Sequence, residues 1–140
     1  MIQRIQTVWL MLATTCVFLT MHFATYVGNA AANTNVALLY LNGKFSPFFV
    51  LVTTAVGVAT MITIFLFKNR SLQIKINGVA LLLHFVLLGL YFVQITKYAG
   101  VGVFALVGCV LHLAVIVFLI MAIRAIYKDS KLVKDSDRLR

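Results

Sequence analysis

Four long apolar runs, at about residues 7–27, 48–67, 76–96 and 101–123, are separated by short polar stretches and followed by a charged segment, 124–140. A run of roughly 20 apolar residues is the length that crosses a bilayer as a helix. The pattern predicts an all-α fold: one domain over 1–140, an integral membrane antiparallel four-helix bundle with a short outer loop and a helical cytoplasmic C-terminal extension. The third and fourth runs, joined by the turn Lys97-Tyr98-Ala99-Gly100, form the hairpin around which the rest is organised.

The first run is longer than the ~7–15 residues of a signal-peptide core, so it reads as a first span although Gly28-Asn29-Ala30-Ala31-Ala32 would suit cleavage. In the 29–46 loop, Asn42-Gly43 offers the two positive-φ positions of a type I′ turn, which predicts a short β-hairpin returning through Lys44-Phe45-Ser46. Pro47 stands where a helix accepts proline, at its first position. On the second span Thr53, Gly57 and Thr60 share a face, as do Ala55, Ala59 and Thr63, and small residues at this spacing let helices approach closely.

The third span carries a polar stripe, Asn77, His84 and Tyr91 at heptad spacing with Gln94 a turn beyond. Polar groups in hydrocarbon cost several kcal/mol unless satisfied, so this stripe faces the bundle interior. The fourth span has Ala105, Gly108, Cys109 and His112 on one side, and these two faces are expected to meet.

Composition agrees with the pattern: 63% of residues are hydrophobic, 11% are charged and mean hydropathy is +1.05. That excludes an ordinary soluble domain, where about a quarter of residues are charged. The net charge of +9 would suit nucleic acid, but its placement argues against it. Arg4, Lys68, Arg70, Lys75, Arg124, Lys128, Lys131, Lys134, Arg138 and Arg140 lie at one set of span ends, and only Lys44 and Lys97 at the other. This is a positive-inside distribution, which puts both termini in the cytoplasm and the basic rim against anionic lipid headgroups. Cys16 and Cys109 lie in apolar runs with no CxxC or Cys/His cluster, and read as free buried thiols.

His84 and His112 lie about 12 Å and 16 Å from the inner ends of their spans at 1.5 Å per residue, so at matched depth. Three uses fit such a pair: structural hydrogen bonding, a proton or transport path, and ligation of a b-type haem. The structural use is preferred, because a narrow Gly108-Cys109 face leaves little room for a macrocycle. His22, four residues before Tyr26, suits interfacial hydrogen bonding. The spans contain no Asp or Glu, and the chain has no HExxH, GxSxG or phosphate-binding loop, so the expectation is no enzyme, no cofactor and no metal.

The opening Met1-Ile2-Gln3-Arg4-Ile5-Gln6, the inner Leu72-Gln73-Ile74-Lys75 and the ending Lys128-Asp129-Ser130-Lys131-Leu132-Val133-Lys134-Asp135-Ser136-Asp137-Arg138-Leu139-Arg140 resemble a family of small four-span membrane proteins from Bacteroidota, catalogued as domain of unknown function 4293. The resemblance implies a bacterial inner-membrane location and supplies no activity or catalytic residue. It draws attention to the tail, where Asp135, Asp137, Arg138 and Arg140 suit charge-paired docking, with an aspartate meeting Arg70 or Lys75.

The sequence reading is thus a small polytopic inner-membrane protein, a structural or accessory subunit whose partners are the bilayer and other membrane proteins. Its alternatives are a small transporter or channel component and a haem-binding electron carrier using His84 and His112.

Overall fold

The computed structural model describes residues 2–29, 38–67, 69–97 and 102–138. Among them are four helices, α1 (Ile2–Leu19), α2 (Pro47–Phe65), α3 (Arg70–Lys97) and α4 (Leu106–Arg138). Three short strands, β1 (Tyr26–Asn29), β2 (Leu38–Leu41) and β3 (Gly102–Phe104), form one antiparallel sheet in the order β2-β1-β3. The fold is thus mostly helical, as expected, and its strands form a three-stranded sheet where only a short outer hairpin was expected.

The sheet corrects the expected hairpin. Tyr26 pairs with Leu41 on one side and with Phe104 on the other. The stretch 30–37 that joins β1 to β2 lies outside the described residues. Asn42-Gly43 instead follows β2, where Asn42 Oδ1 accepts the Lys44 N–H at 3.0 Å and Phe45 N–H bonds the Asn42 carbonyl at 3.0 Å. Neither residue has a positive φ, so the type I′ turn is not made.

Helix ends move for identifiable reasons. The helical stretch of α1 stops at Leu19, well short of residue 27. Thr20 Oγ1 donates back to the Val17 carbonyl at 2.6 Å, and the Thr20 carbonyl accepts the Gly43 N–H at 3.0 Å, so local and loop bonds replace helical ones. For α2, Pro47 sits in the first turn after an extended Ser46, as expected. Asn69 caps α3, its Oδ1 accepting the Leu72 N–H at 3.2 Å, so the helix starts at Arg70, ahead of the apolar run that begins at 76. The 97–100 connection grows to hold β3, and α4 begins at Leu106 instead of 101; within that connection, residues 98–101 lie outside the described residues.

Each helix packs on two others, α1 and α3 both lying against α2 and α4. One apolar layer joins Ala13, Val17, Val56, Ala80, Val115 and Leu119, and a second, nearer the sheet, joins Tyr26, Leu41, Phe49, Val52, Leu87 and Tyr91. The small face of α2 is buried at Thr53, Gly57 and Thr60, while Ala55 on the second stripe is exposed. At Gly57 the tip of the Phe18 ring packs against the bare backbone, 2.8 Å from where a Cβ would be.

The outside of the molecule is apolar. Phe65, Leu82 and Leu106 are 69%, 66% and 79% exposed, which a water-facing surface does not explain. Pro47–Phe65, Arg70–Thr96 and Leu106–Val133 are each long and apolar enough to cross a membrane, and Ile5–Leu19 is a shorter apolar helix. With 33 residues, α4 is about 50 Å long at 1.5 Å per residue. One face of its stretch 124–129 stays packed, while Arg124, Tyr127 and Lys128 are exposed. Ile126 is fully buried, Gln6 Nε2 donates to the Ala125 carbonyl at 3.2 Å, and Arg70 Nε lies 2.9 Å from Asp129 Oδ2.

A Cβ on Gly108 would strike the Ala24 carbonyl oxygen and come 2.6 Å from Thr25 Cα, both rigid backbone. Gly108→Ala is expected to destabilise the protein by about 1–3 kcal/mol, the cost of overpacking. Gly78→Ala, which meets nothing within 4 Å, should be neutral or stabilising. Unfolding titrations of the two purified variants in detergent check both.

Candidate functional site

The sheet places one residue, Thr25, with unusual firmness. Its N–H donates to the Leu41 carbonyl at 2.7 Å, and its own carbonyl accepts the Ala105 N–H at 3.0 Å. The Cys109 thiol also reaches that carbonyl, at 3.7 Å. Glycine at 108 lets the backbone of residues 24–25 lie directly on α4. One turn further along α4, His112 therefore meets Thr25, with Oγ1 and Nε2 3.1 Å apart.

From His112 the contacts continue into α3. Its Nδ1 lies 3.4 Å from His84 Nε2, and the two ring centroids are 5.2 Å apart. A neutral imidazole donates at one nitrogen and accepts at the other, so the file Thr25–His112–His84 has two settings that differ in which end donates. The expectation that the polar face of the third span meets His112 of the fourth is met by this contact. Gly108 departs from it, since it faces residues 24–25 and not α3.

Tyr91 closes the cluster. Its ring stands edge-on to Phe49 at 4.9 Å and to His112 at 5.0 Å. The hydroxyl lies toward Thr25 but has no partner at hydrogen-bonding distance. Beside these residues a cavity of about 320 Å³ opens between α3 and α4, lined by Thr25, Tyr91, Phe92, Phe104, His112 and Leu113 among others.

Asn77 belongs to a separate group at the other end of α3. Its Oδ1 accepts from Thr63 Oγ1 at 3.2 Å, and Gln73 Nε2 donates to the Thr63 carbonyl at 2.7 Å. Thr14 Oγ1 donates to Thr60 Oγ1 at 2.9 Å, tying α1 to the same region of α2. Between the two polar groups lies the apolar layer that contains Ala80, which is one turn from both Asn77 and His84. The stripe is thus buried at Asn77, His84 and Tyr91 but divided, and Gln94 is half-buried.

The other candidates fall differently. Haem ligation by both histidines would need the macrocycle between their rings, whereas the imidazoles touch each other. His22 is exposed just beyond α1, and Tyr26 stands edge-on to Phe104 at 5.4 Å. Arg70 pairs with Asp129. The side chains of Asp135, Asp137, Arg138 and Arg140 lie outside the described residues. Among the described residues no three His, Cys, Asp or Glu side chains gather to hold a metal. A second cavity, of about 430 Å³, lies between α1 and α4 at the opposite end from the sheet, lined by Ile5, Trp9, Met121, Arg124, Ala125 and Lys128.

Sequence reasoning missed the roles of Thr25, Gln73 and Asp129, and placed Thr63 on a packing face without its bond to Asn77. For Thr25 no local signal exists, since it falls at the end of an apolar run and acquires its role from strands far along the chain. Asp129 carried one: it is the first acid after the fourth span, on the face of α4 that begins with Ile126.

The model of a family described as Domain of unknown function (DUF4293) matches residues 2–139. No curated protein and no solved structure matches the chain.

Thr25→Val removes the hydroxyl and keeps the shape, so it should cost about 1 kcal/mol, the usual net value of one such bond. The ¹⁵N shifts of the His112 ring should move with it. Unchanged shifts would mean that Oγ1 and Nε2 are not bonded.

Proposed function

The chain belongs to the DUF4293 family, and we propose that it is a four-crossing protein of the bacterial inner membrane, with both termini cytoplasmic, that serves as a structural or accessory subunit of a larger membrane assembly and not as an enzyme. The observation that carries this reading is the far end of α4. Past the anchor of Asp129 on Arg70, the helix runs on to Arg138, and Lys131, Leu132 and Val133 on it are exposed, a surface on which a partner can dock.

Other features support the same reading. The described bases Arg70, Lys75, Arg124 and Lys128 share that end, whereas Lys44 lies at the sheet end. In the cleft between α1 and α4, Arg124 and Lys128 stand beside Trp9 and Ile5, cations next to an apolar wall, which suits an anionic headgroup with its chain below it. The short apolar stretch of α1 is accommodated by tilt or local thinning of the bilayer. Side-chain bonds between helices, Thr14 to Thr60, Thr63 to Asn77 and His84 to His112, act as internal braces.

A small transporter or channel component is the second reading, and the Thr25–His112–His84 file favours it. It requires that file to connect with Asn77 through the layer that holds Ala80, Val56 and Val115.

Reporter fusions at Lys44 and after Arg140 are expected on opposite faces of the membrane. Purification in mild detergent should yield a stoichiometric partner that is lost in the Leu132→Glu, Val133→Glu double variant, with reporter orientation unchanged. Reporters on one face would overturn the topology, and partner binding indifferent to the double variant would overturn the role given to α4.

A further inference from the structure

We propose that the cleft between α1 and α4, at the end away from the sheet, is a binding site for one anionic phospholipid, with its phosphate on Arg124 and Lys128 and its acyl chains along Trp9 and Met121. This deepens the reading of the basic rim given above, and it requires the helices to be membrane crossings.

The order of residues along the cleft matches the order of groups along a phospholipid. α1 and α4 run in opposite directions, since Trp9 stands beside Phe118 with ring centroids 5.8 Å apart and Gln6 bonds the Ala125 carbonyl. The apolar run of α4 ends at Ile123, so Met121 lies within it and Arg124 is the first residue beyond. Lys128 stands a further turn out, about 6 Å at 1.5 Å per residue. Going outward from the bilayer, the cleft therefore passes an indole and a thioether, and then a guanidinium and an ammonium. Acyl carbons pack on the first two, and a phosphodiester meets the second two. Tryptophan suits this level, because its amphipathic ring favours the boundary between chains and headgroups.

Charge selects the headgroup. Among the residues whose side chains are described, Asp129 is the one acid, and its carboxylate pairs with Arg70. Arg124 and Lys128 thus line the cleft with no carboxylate partner among the described side chains. Residues 1–4, whose side chains lie outside the described ones, include no acid. The planar fork of Arg124 can meet two phosphate oxygens, and Lys128 adds a point charge. A zwitterionic head brings its own cation beside these two, whereas a head without an amine leaves its phosphate to them. The volume of about 430 Å³ lies within the usual range for small-molecule sites, about 300–1,000 Å³. Bound there, the lipid adds a contact to the α1–α4 seam at the level where Gln6 meets Ala125.

Trp9 is the chain's one tryptophan, so its fluorescence reports on this cleft. The test places the full chain in phosphatidylcholine vesicles containing phosphatidylglycerol, with one or the other lipid brominated on its acyl chains as a contact quencher. Brominated phosphatidylglycerol is expected to quench Trp9 with an apparent affinity about tenfold above that of brominated phosphatidylcholine, the effect of two cations near a membrane surface. Arg124→Gln with Lys128→Gln should bring the two lipids level and leave quenching by brominated phosphatidylcholine unchanged. Lys75→Gln with Lys131→Gln removes the same charge from the same end but outside the cleft, and should keep the preference. Millimolar inorganic phosphate should not reduce it, because a free anion lacks the chains. The site is overturned if the two lipids quench the unaltered chain alike, if the preference survives Arg124→Gln with Lys128→Gln, if it is lost in Lys75→Gln with Lys131→Gln, or if inorganic phosphate abolishes it. Should the Arg124 and Lys128 variant fail to fold, the unaltered chain, the phosphate arm and the Lys75 and Lys131 variant decide the matter. Equal quenching by the two lipids removes this site alone, whereas quenching by neither removes the membrane crossing beneath it.

Discussion

Helices whose outer surfaces are as apolar as their contacts gain little from hydrophobic burial against one another, so directional bonds must set how they sit. In this protein every neighbouring pair of helices has such a bond. Thr14 to Thr60 joins α1 to α2, and Thr63 to Asn77 joins α2 to α3. His84 to His112 and Arg70 to Asp129 join α3 to α4, and Gln6 to the Ala125 carbonyl joins α4 to α1. The ring of four is closed by polar contacts at each seam, with apolar layers filling the space between.

The two ends of the ring are held by different means. At the sheet end the anchor is the backbone of Thr25, shared between β2 and the start of α4. At the other end the anchor is an ion pair that is only partly exposed, 23% for Arg70 and 11% for Asp129. Breaking such a pair leaves one charge without its counter-ion, which costs more than the pair contributes when whole. Gln73, Asn77 and Thr63 lie just inside that pair, so polarity at this end is graded from charge to amide to hydroxyl toward the apolar layer.

Much of this was legible in the chain. Four apolar runs gave four helices, the heptad stripe on the third gave the buried face of α3, and matched depth brought His84 to His112. The small face of α2 correctly marked a close approach. What escaped the sequence depended on partners distant along it. The strands are three or four residues each, too short to carry an alternating pattern, and β1 pairs with β3 across the whole of α2 and α3. Asn42-Gly43 has the composition of a hairpin turn, but the pairing it would close is made elsewhere. Thr25 reads as one more residue of an apolar run until Leu41 and Ala105 bind its backbone.

The ordering of the sheet bears on how the protein is made. Its central strand follows α1, yet one edge arrives only after α3, and Thr25 meets His112 across 87 residues of chain. At synthesis rates of about 5–20 residues per second, several seconds separate the emergence of the two. Through that interval the strand following the first helix has an open edge, and whatever shields it in the nascent chain must leave before the last helix can settle.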